Sequence, residues 1–124
     1  MTLQRLNRTA PSHEALVRVY KSGKIVFNAN ASRLLELNPN DLISVCYDKE
    51  AFDARGVKRL YVGVSRSGYM VKPRRETYFV CSTSLCKDVA EALEGYGTYR
   101  LCPEDYSRDA DGTKYYNIFF KKYD

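Results

Sequence analysis

The chain has 124 residues, of which 44% are hydrophobic and 28% charged, so one folded domain with its own core is expected without metal or disulfide support. No run approaches the roughly 20 apolar residues of a membrane span, and the polar N-terminus lacks the apolar centre of a signal peptide. We therefore expect a cytoplasmic protein with no membrane partner, in which residues 1–13 form a flexible arm and residues 14–124 a single domain.

The first third of the chain predicts two strands, a short helix and a third strand. Alternating β-branched residues predict a strand over 15–20, and Gly23 supplies a turn to a return strand over 25–27. Asn28 or Asn30 can cap a helix, which must end before Pro39. The next strand is expected over 42–47.

The remainder predicts five further strands and a second helix. After a polar connector over 48–56, strands are expected over 58–64, 69–72 and 76–81, with a turn at Ser67 and Gly68. Ser82 or Thr83 can cap a helix that runs to about Leu93 and is followed by Gly95. Strands over 98–102 and 114–120 flank a polar loop over 103–112. The eight strands and two short helices predict an α+β fold with a mostly antiparallel, barrel-like sheet.

Two segments of the chain are similar to each other. Residues 17–27 read VRVYKSGKIVF and residues 62–72 read VGVSRSGYMVK, with five identical positions. Either two hairpins converged on one turn sequence, or the domain contains two β-turn-β-α-β pseudo-repeats over 15–47 and 58–102.

Positive charge is concentrated in the middle of the chain. Residues 55–75 contain seven basic and no acidic side chains, and the whole chain has a net charge of +5. Such a segment can form a face that attracts polyanions, and it can equally keep strand edges soluble. Three tyrosines lie within or beside this segment: Tyr61, Tyr69 and Tyr78. They can stack on bases, serve a protein interface, or fill half-buried strand positions, as is common in small β-rich domains.

Catalytic and metal-binding motifs are not evident in the sequence. His13 is the single histidine, and the four cysteines contain no CxxC pair. We expect reduced structural thiols, no metal, no cofactor and no enzymatic activity.

Residues 23–43 read GKIVFNANASRLLELNPNDLI and resemble the AbrB/SpoVT family of swapped-hairpin DNA-binding domains. The positions that match the family pattern are Gly23, Ile25, Leu35, Asp41 and Ile43. The pattern departs at Asn28, Ser32 and Asn40, where the family usually has proline, arginine and glycine. The resemblance covers about 30 residues and implies DNA contacts from Arg18, Lys24 and Arg33. It also implies a homodimer, unless a duplicated chain builds alone what the family builds from two chains.

Two functions remain open at this stage. The first is a small nucleic-acid-binding protein, such as an AbrB-like transcriptional regulator. It would contact phosphate through basic side chains chosen from the resemblance and the basic segment: Arg18, Lys24, Arg33, Arg66, Arg74 and Arg75. The second is a protein-interaction or structural accessory module of a phage or mobile element, which would use tyrosines and strand edges to bind a protein partner.

Overall fold

Nine strands and two helices account for most of residues 14–52 and 58–119, which are the residues that a computed structural model of the chain describes. The predicted arm over 1–13 lies outside them. In chain order the elements are β1 (Ala15–Val19), β2 (Lys24–Phe27), α1 (Ala29–Leu34), β3 (Leu42–Phe52), β4 (Lys58–Ser65), β5 (Tyr69–Met70), β6 (Lys72–Arg74), β7 (Thr77–Cys81), α2 (Thr83–Ala92), β8 (Gly97–Arg108) and β9 (Lys114–Ile118).

All the strands belong to one antiparallel sheet with the order β5-β3-β4-β9-β8-β1-β2-β7-β6. The two outermost strands, β5 and β6, are consecutive in the chain and are separated only by Val71. The Val71 N–H donates to the carbonyl of Asp41 at 2.8 Å, and the Val71 carbonyl accepts from the N–H of Asn40 at 3.3 Å. The sheet is therefore a nearly closed barrel, which confirms the predicted α+β class and barrel-like sheet. The ninth strand arises because the predicted strand over 69–72 is divided at Val71.

The core fills the barrel with alternate residues of its strands. In β1 the buried residues are Ala15, Val17 and Val19, as the sequence alternation predicts. The largest side chains with almost no exposed surface come from strands around the barrel, from the link between β5 and β6, and from α2: Val17, Phe27, Ile43, Val62, Val71, Val80, Cys86 and Tyr99.

Both helices begin at the caps that the sequence predicts. The Asn28 side chain accepts a hydrogen bond from the N–H of Ala31, and the Ser82 hydroxyl accepts one from the N–H of Leu85. After α2, Gly95 adopts a φ of +100° and donates its N–H to the carbonyl of Ala90. This left-handed residue ends the helix and turns the chain into β8.

The predicted hairpin over 62–72 does not form. β4 and β5 do not pair with each other; both pair with β3, which lies between them. The turn at Ser67 and Gly68 instead carries the chain over β3. A Cβ on Gly68 would lie 2.0 Å from the Ile43 carbonyl oxygen, and the Ser44 hydroxyl donates to the Ser67 carbonyl at 2.6 Å. The similar segments 17–27 and 62–72 therefore differ in structure, because a shared turn sequence does not fix which strands pair.

Two strands are longer than the sequence predicts. β3 continues through the expected connector to Phe52, and β8 continues through the expected loop to Arg108. The register of β8 against β9 shifts between Leu101 and Tyr106, where Pro103 interrupts the regular pairing. Polar residues in these extensions had suggested loops, but one face of an antiparallel strand can be exposed to solvent.

The pairing pattern of residues 15–65 recurs in residues 69–118. The first run contains the hairpin β1–β2, the helix α1 and the hairpin β3–β4. The second contains the hairpin β6–β7, the helix α2 and the hairpin β8–β9. Around the sheet the four hairpins alternate between the two runs, which meet directly at three strand pairs: β4 with β9, β8 with β1, and β2 with β7. This correspondence has different bounds from the predicted pseudo-repeats over 15–47 and 58–102.

Candidate nucleic-acid interface

Four adjacent strands, β1, β2, β7 and β6, present a basic row on the outer face of the barrel. By strand register, Arg18 lies opposite Val26, Val26 opposite Phe79, and Phe79 opposite Lys72. The neighbouring residues on these strands, including Val17, point into the core, so this row faces outward. The row therefore has the apolar residues Val26 and Phe79 at its centre and one cation, Arg18 or Lys72, at each end.

A groove of about 830 Å³ runs along the central β2–β7 pair, and we call it the β2–β7 groove. It extends from the turn between β1 and β2 to the turn between β6 and β7. Its lining includes Tyr20 and Ser22 at one turn, Arg75 and Glu76 at the other, and three cations in all: Lys24, Arg74 and Arg75. Because Glu76 is the one carboxylate among the described lining residues, the groove has an excess of positive charge.

Two aromatic rings position cations in and beside the groove. The Arg18 guanidinium carbon lies 5.1 Å from the centroid of the Tyr20 ring. The Lys24 Nζ lies 4.9 Å from the centroid of the Phe79 ring. Such cation–π contacts restrict long side chains while leaving their charge open to a ligand.

The turn between β6 and β7 places two arginines at one end of the groove. Arg74 pairs with Thr77 across the hairpin, and the Thr77 hydroxyl donates to the Arg74 carbonyl at 2.8 Å. Arg75 is the first residue of the two-residue loop and has a φ of +58°. This left-handed conformation is uncommon for a side chain of its size. Both arginines are exposed.

Four of the six basic residues predicted from the sequence thus lie in or beside one groove: Arg18, Lys24, Arg74 and Arg75. Arg33 instead donates to the Asn30 side chain on the exposed side of α1. Arg66 is exposed where the chain crosses β3. Neither residue lines the β2–β7 groove.

The three predicted tyrosines are not brought together there. Tyr78 pairs with the buried Phe27 and packs against the core, so its ring is on the inner side of β7. Tyr61 is half-buried on β4, and Tyr69 is 38% exposed on β5. The aromatic residues of the groove, Tyr20 and Phe79, lie outside the basic segment. The sequence could have indicated that Tyr20 and Phe79 face outward, because each alternates with residues of β1 or β7 that are buried.

A second aromatic surface lies on β8 and β9. The rings of Tyr106 and Tyr116 have centroids 5.8 Å apart, and the Lys114 Nζ lies 4.7 Å from the Tyr106 centroid. Tyr106 is 40% exposed and Tyr116 is buried. The Arg108 guanidinium carbon lies 5.7 Å from the Tyr106 centroid. We call the two tyrosines with Arg108 and Lys114 the tyrosine patch; tyrosine and arginine are enriched at protein interfaces.

Residues 14–52 and 58–119 contain no group of three or more histidine, cysteine or acidic side chains placed to hold a metal. Burial raises the pKa of the Cys86 thiol, and burial together with Asp109 raises that of Cys46, so both thiols remain protonated near neutral pH. Over the same residues, neither helix has the length and apolar character needed to cross a membrane.

Comparison of the chain with protein-family models, with curated proteins and with solved structures finds no match.

Proposed function

We propose that the protein binds nucleic acid, with phosphate groups held by the cations in and beside the β2–β7 groove. The observation that supports this most directly is the gathering of Lys24, Arg74 and Arg75 in one groove, with Arg18 and Lys72 at its sides. Phosphate neutralisation by lysine and arginine supplies most of the non-specific affinity of proteins for nucleic acid. An arginine can also bind a phosphate through two parallel hydrogen bonds.

The dimensions of this face favour duplex DNA. Arg18 and Lys72 stand on strands separated by three inter-strand spacings, or about 14 Å. The DNA major groove is about 12 Å wide and accepts a two-stranded β-ribbon. With the β2–β7 pair against the major groove, the flanking cations reach phosphates of both strands.

The interleaved hairpins support an AbrB-like regulator as the specific form of this proposal. The resemblance of residues 23–43 implies a swapped-hairpin domain, which the family assembles from two chains. Here the hairpins of residues 15–65 alternate with those of residues 69–118 within one sheet. We infer that the two runs arose by internal duplication, so that one chain supplies both halves. Such a regulator would act in the cytoplasm.

The groove assignment is tested by comparing two double variants with equal loss of charge. In the first, Arg74→Gln with Arg75→Gln removes two cations from the groove. In the second, Arg33→Gln with Arg66→Gln removes two exposed cations elsewhere on the surface. Fluorescence anisotropy with a labelled 20-base-pair duplex at about 50 mM salt should show about tenfold or greater loss of affinity for the first variant. The second variant should lose no more than about threefold, through general electrostatics.

Equal losses for the two variants would contradict the groove assignment, because only net charge would then matter. A preference for single-stranded over duplex oligonucleotides would contradict docking in the major groove. Circular dichroism of each variant confirms that the barrel is intact before binding is compared.

A protein-binding function is the second candidate, and the tyrosine patch is the observation that favours it. Tyr106 is exposed with Arg108 beside its ring, and tyrosine and arginine are frequent at the centres of interfaces. Under this alternative, Tyr106→Ser would weaken recovery of a partner from the native host, whereas the Arg74/Arg75 variant would not.

A further inference from the structure

A second groove, separate from the basic face, lies between α2 and the strands β3, β4 and β5. Its volume is about 680 Å³, within the range of small-molecule sites. The floor is apolar and is formed by Val45 and Leu60 of the barrel with Leu85, Val89 and Leu93 of α2 and its end. We call it the α2 groove.

Two tyrosines border the apolar floor. Tyr47 is 47% exposed and Tyr69 is 38% exposed, and both line the groove. Exposed tyrosine rings present π faces that attract organic cations. This rim also extends the apolar contact area beyond the floor.

Two carboxylates complete the lining. Asp88 and Glu91 are three residues apart on α2, which places them on the same edge of the helix. Neither forms an ion pair within residues 14–52 and 58–119, and none of the described lining residues is basic. The α2 groove is therefore acidic at its edge, although the chain as a whole carries a charge of +5.

The corresponding position beside the end of α1 differs in both size and charge. There the cavity is about 390 Å³ and is lined by Arg108 and Lys114 together with Glu36. α1 has six residues and α2 has ten, so the longer helix supplies the additional wall and its acidic edge. An apolar floor with an acidic edge is therefore found at α2 and not at the corresponding position beside α1, although the strand pairing around the two helices is similar.

We propose that the α2 groove binds an organic cation with an apolar body, such as an aralkyl amine. The ammonium group lies at Asp88 and Glu91, and the body packs on the apolar floor between Tyr47 and Tyr69. This assignment is independent of the nucleic-acid proposal, because the two grooves share no lining residue.

The test uses two probes of similar shape, 4-phenylbutylamine and the neutral 4-phenylbutan-1-ol, titrated into ¹⁵N-labelled full-length protein. The amine should shift amide signals of residues 45–47 and 85–93 in a saturable manner. It should bind at least about fivefold more tightly than the alcohol, because it alone gains contact with the carboxylates. The double variant Asp88→Asn with Glu91→Gln should reduce this preference to about one while the alcohol still binds. A control variant with the same charge loss, Glu104→Gln with Asp111→Asn, should keep the preference.

Three results would overturn the proposal. They are equal affinity for amine and alcohol in the unaltered protein, signal changes centred away from α2, and an unchanged preference in the Asp88/Glu91 variant. Since both substituted residues are exposed on α2, the variant is expected to fold, and its unperturbed spectrum establishes this directly.

Discussion

At the scale of single residues, Asn28 joins the start of α1 to β1. Its side-chain oxygen accepts from the N–H groups of Ala31 at 2.8 Å and Leu16 at 3.0 Å, and its side-chain nitrogen donates to the Glu14 carbonyl at 3.0 Å. Asn28 is therefore both the cap of α1 and a hydrogen-bonded link between α1, β1 and Glu14.

Asn28→Ala should lower the free energy of unfolding by about 2–3 kcal/mol, from the lost cap and the unpaired Leu16 N–H. Asn28→Asp keeps both acceptor interactions and should recover more than half of this loss. Urea unfolding of the three proteins checks the order. Equal stability of the alanine and asparagine proteins would show that the side-chain bonds contribute nothing.

Tyr99 is the residue for which the structure predicts a pH effect. Burial raises its pKa to about 12, and its hydroxyl donates to the Gly95 carbonyl. The unfolded chain loses this proton near pH 10, so unfolding is coupled to proton release between the two values. The stabilisation is complete below about pH 10 and is lost as the pH rises through about 12.

Between about pH 10 and 12, the free energy of unfolding should therefore fall by about 2 kcal/mol less in Tyr99→Phe than in the unaltered protein. At neutral pH the substitution should lower the free energy of unfolding by about 1 kcal/mol, because the hydrogen bond is lost. Unfolding midpoints measured from pH 8 to 11.5 for both proteins give the comparison, with the other tyrosines common to both. Parallel curves would mean that Tyr99 titrates normally in the folded protein.

At the scale of elements, the crossing of β3 by the chain at Gly68 determines how the barrel closes. Gly68 has a φ of +136°, and an added Cβ would meet the backbone of Ile43. Only glycine satisfies both the conformation and the close approach. Gly112 has a positive φ as well, of +84°, but no atom lies within 4 Å of its hypothetical Cβ.

Gly68→Ala should destabilise the protein by about 3 kcal/mol or more, because steric overlap adds to backbone strain. Gly112→Ala introduces backbone strain without steric overlap and should lower the free energy of unfolding by about 1 kcal/mol. Thermal unfolding of the pair separates the two contributions. Similar costs at both positions would contradict the close crossing over β3.

The sequence was sufficient to predict most elements but not their partners. Alternation of buried residues gave β1, and the short polar side chains of Asn28 and Ser82 gave the helix starts, because both signals are local. The segment around Gly68 has the same local signal as a hairpin turn, yet its strands pair on opposite sides of β3. Pairing depends on contacts distant in sequence, which no local pattern contains.

The candidate site was predictable to a similar extent. The cluster of positive charge indicated Arg74 and Arg75, and the resemblance indicated Lys24 and Arg18, all of which lie in or beside the groove. Phe79 was missed, since its place on the outer face follows from pairing with Val26. Tyr78 was a candidate for stacking or an interface, because composition alone does not reveal which side of a strand faces the core. In the structure it packs against the core.

At the scale of the whole molecule, two surfaces of opposite charge lie on one barrel. The β2–β7 groove, where the two runs of hairpins meet on one side, is lined by three cations, whereas the longer helix of the second run has an acidic edge. The proposed roles in binding a polyanion and an organic cation rest on this difference in charge.

The central claim is that phosphates bind to the cations in and beside the β2–β7 groove, and the salt dependence of duplex binding tests it most directly. Each phosphate neutralised contributes a slope of about −0.9 in log affinity against log salt. We expect a slope of about −4.5 for the unaltered protein, from its five clustered cations, and a slope shallower by about 1.8 for the Arg74/Arg75 variant. The same slope in both proteins, or no duplex binding at low salt, would contradict the claim.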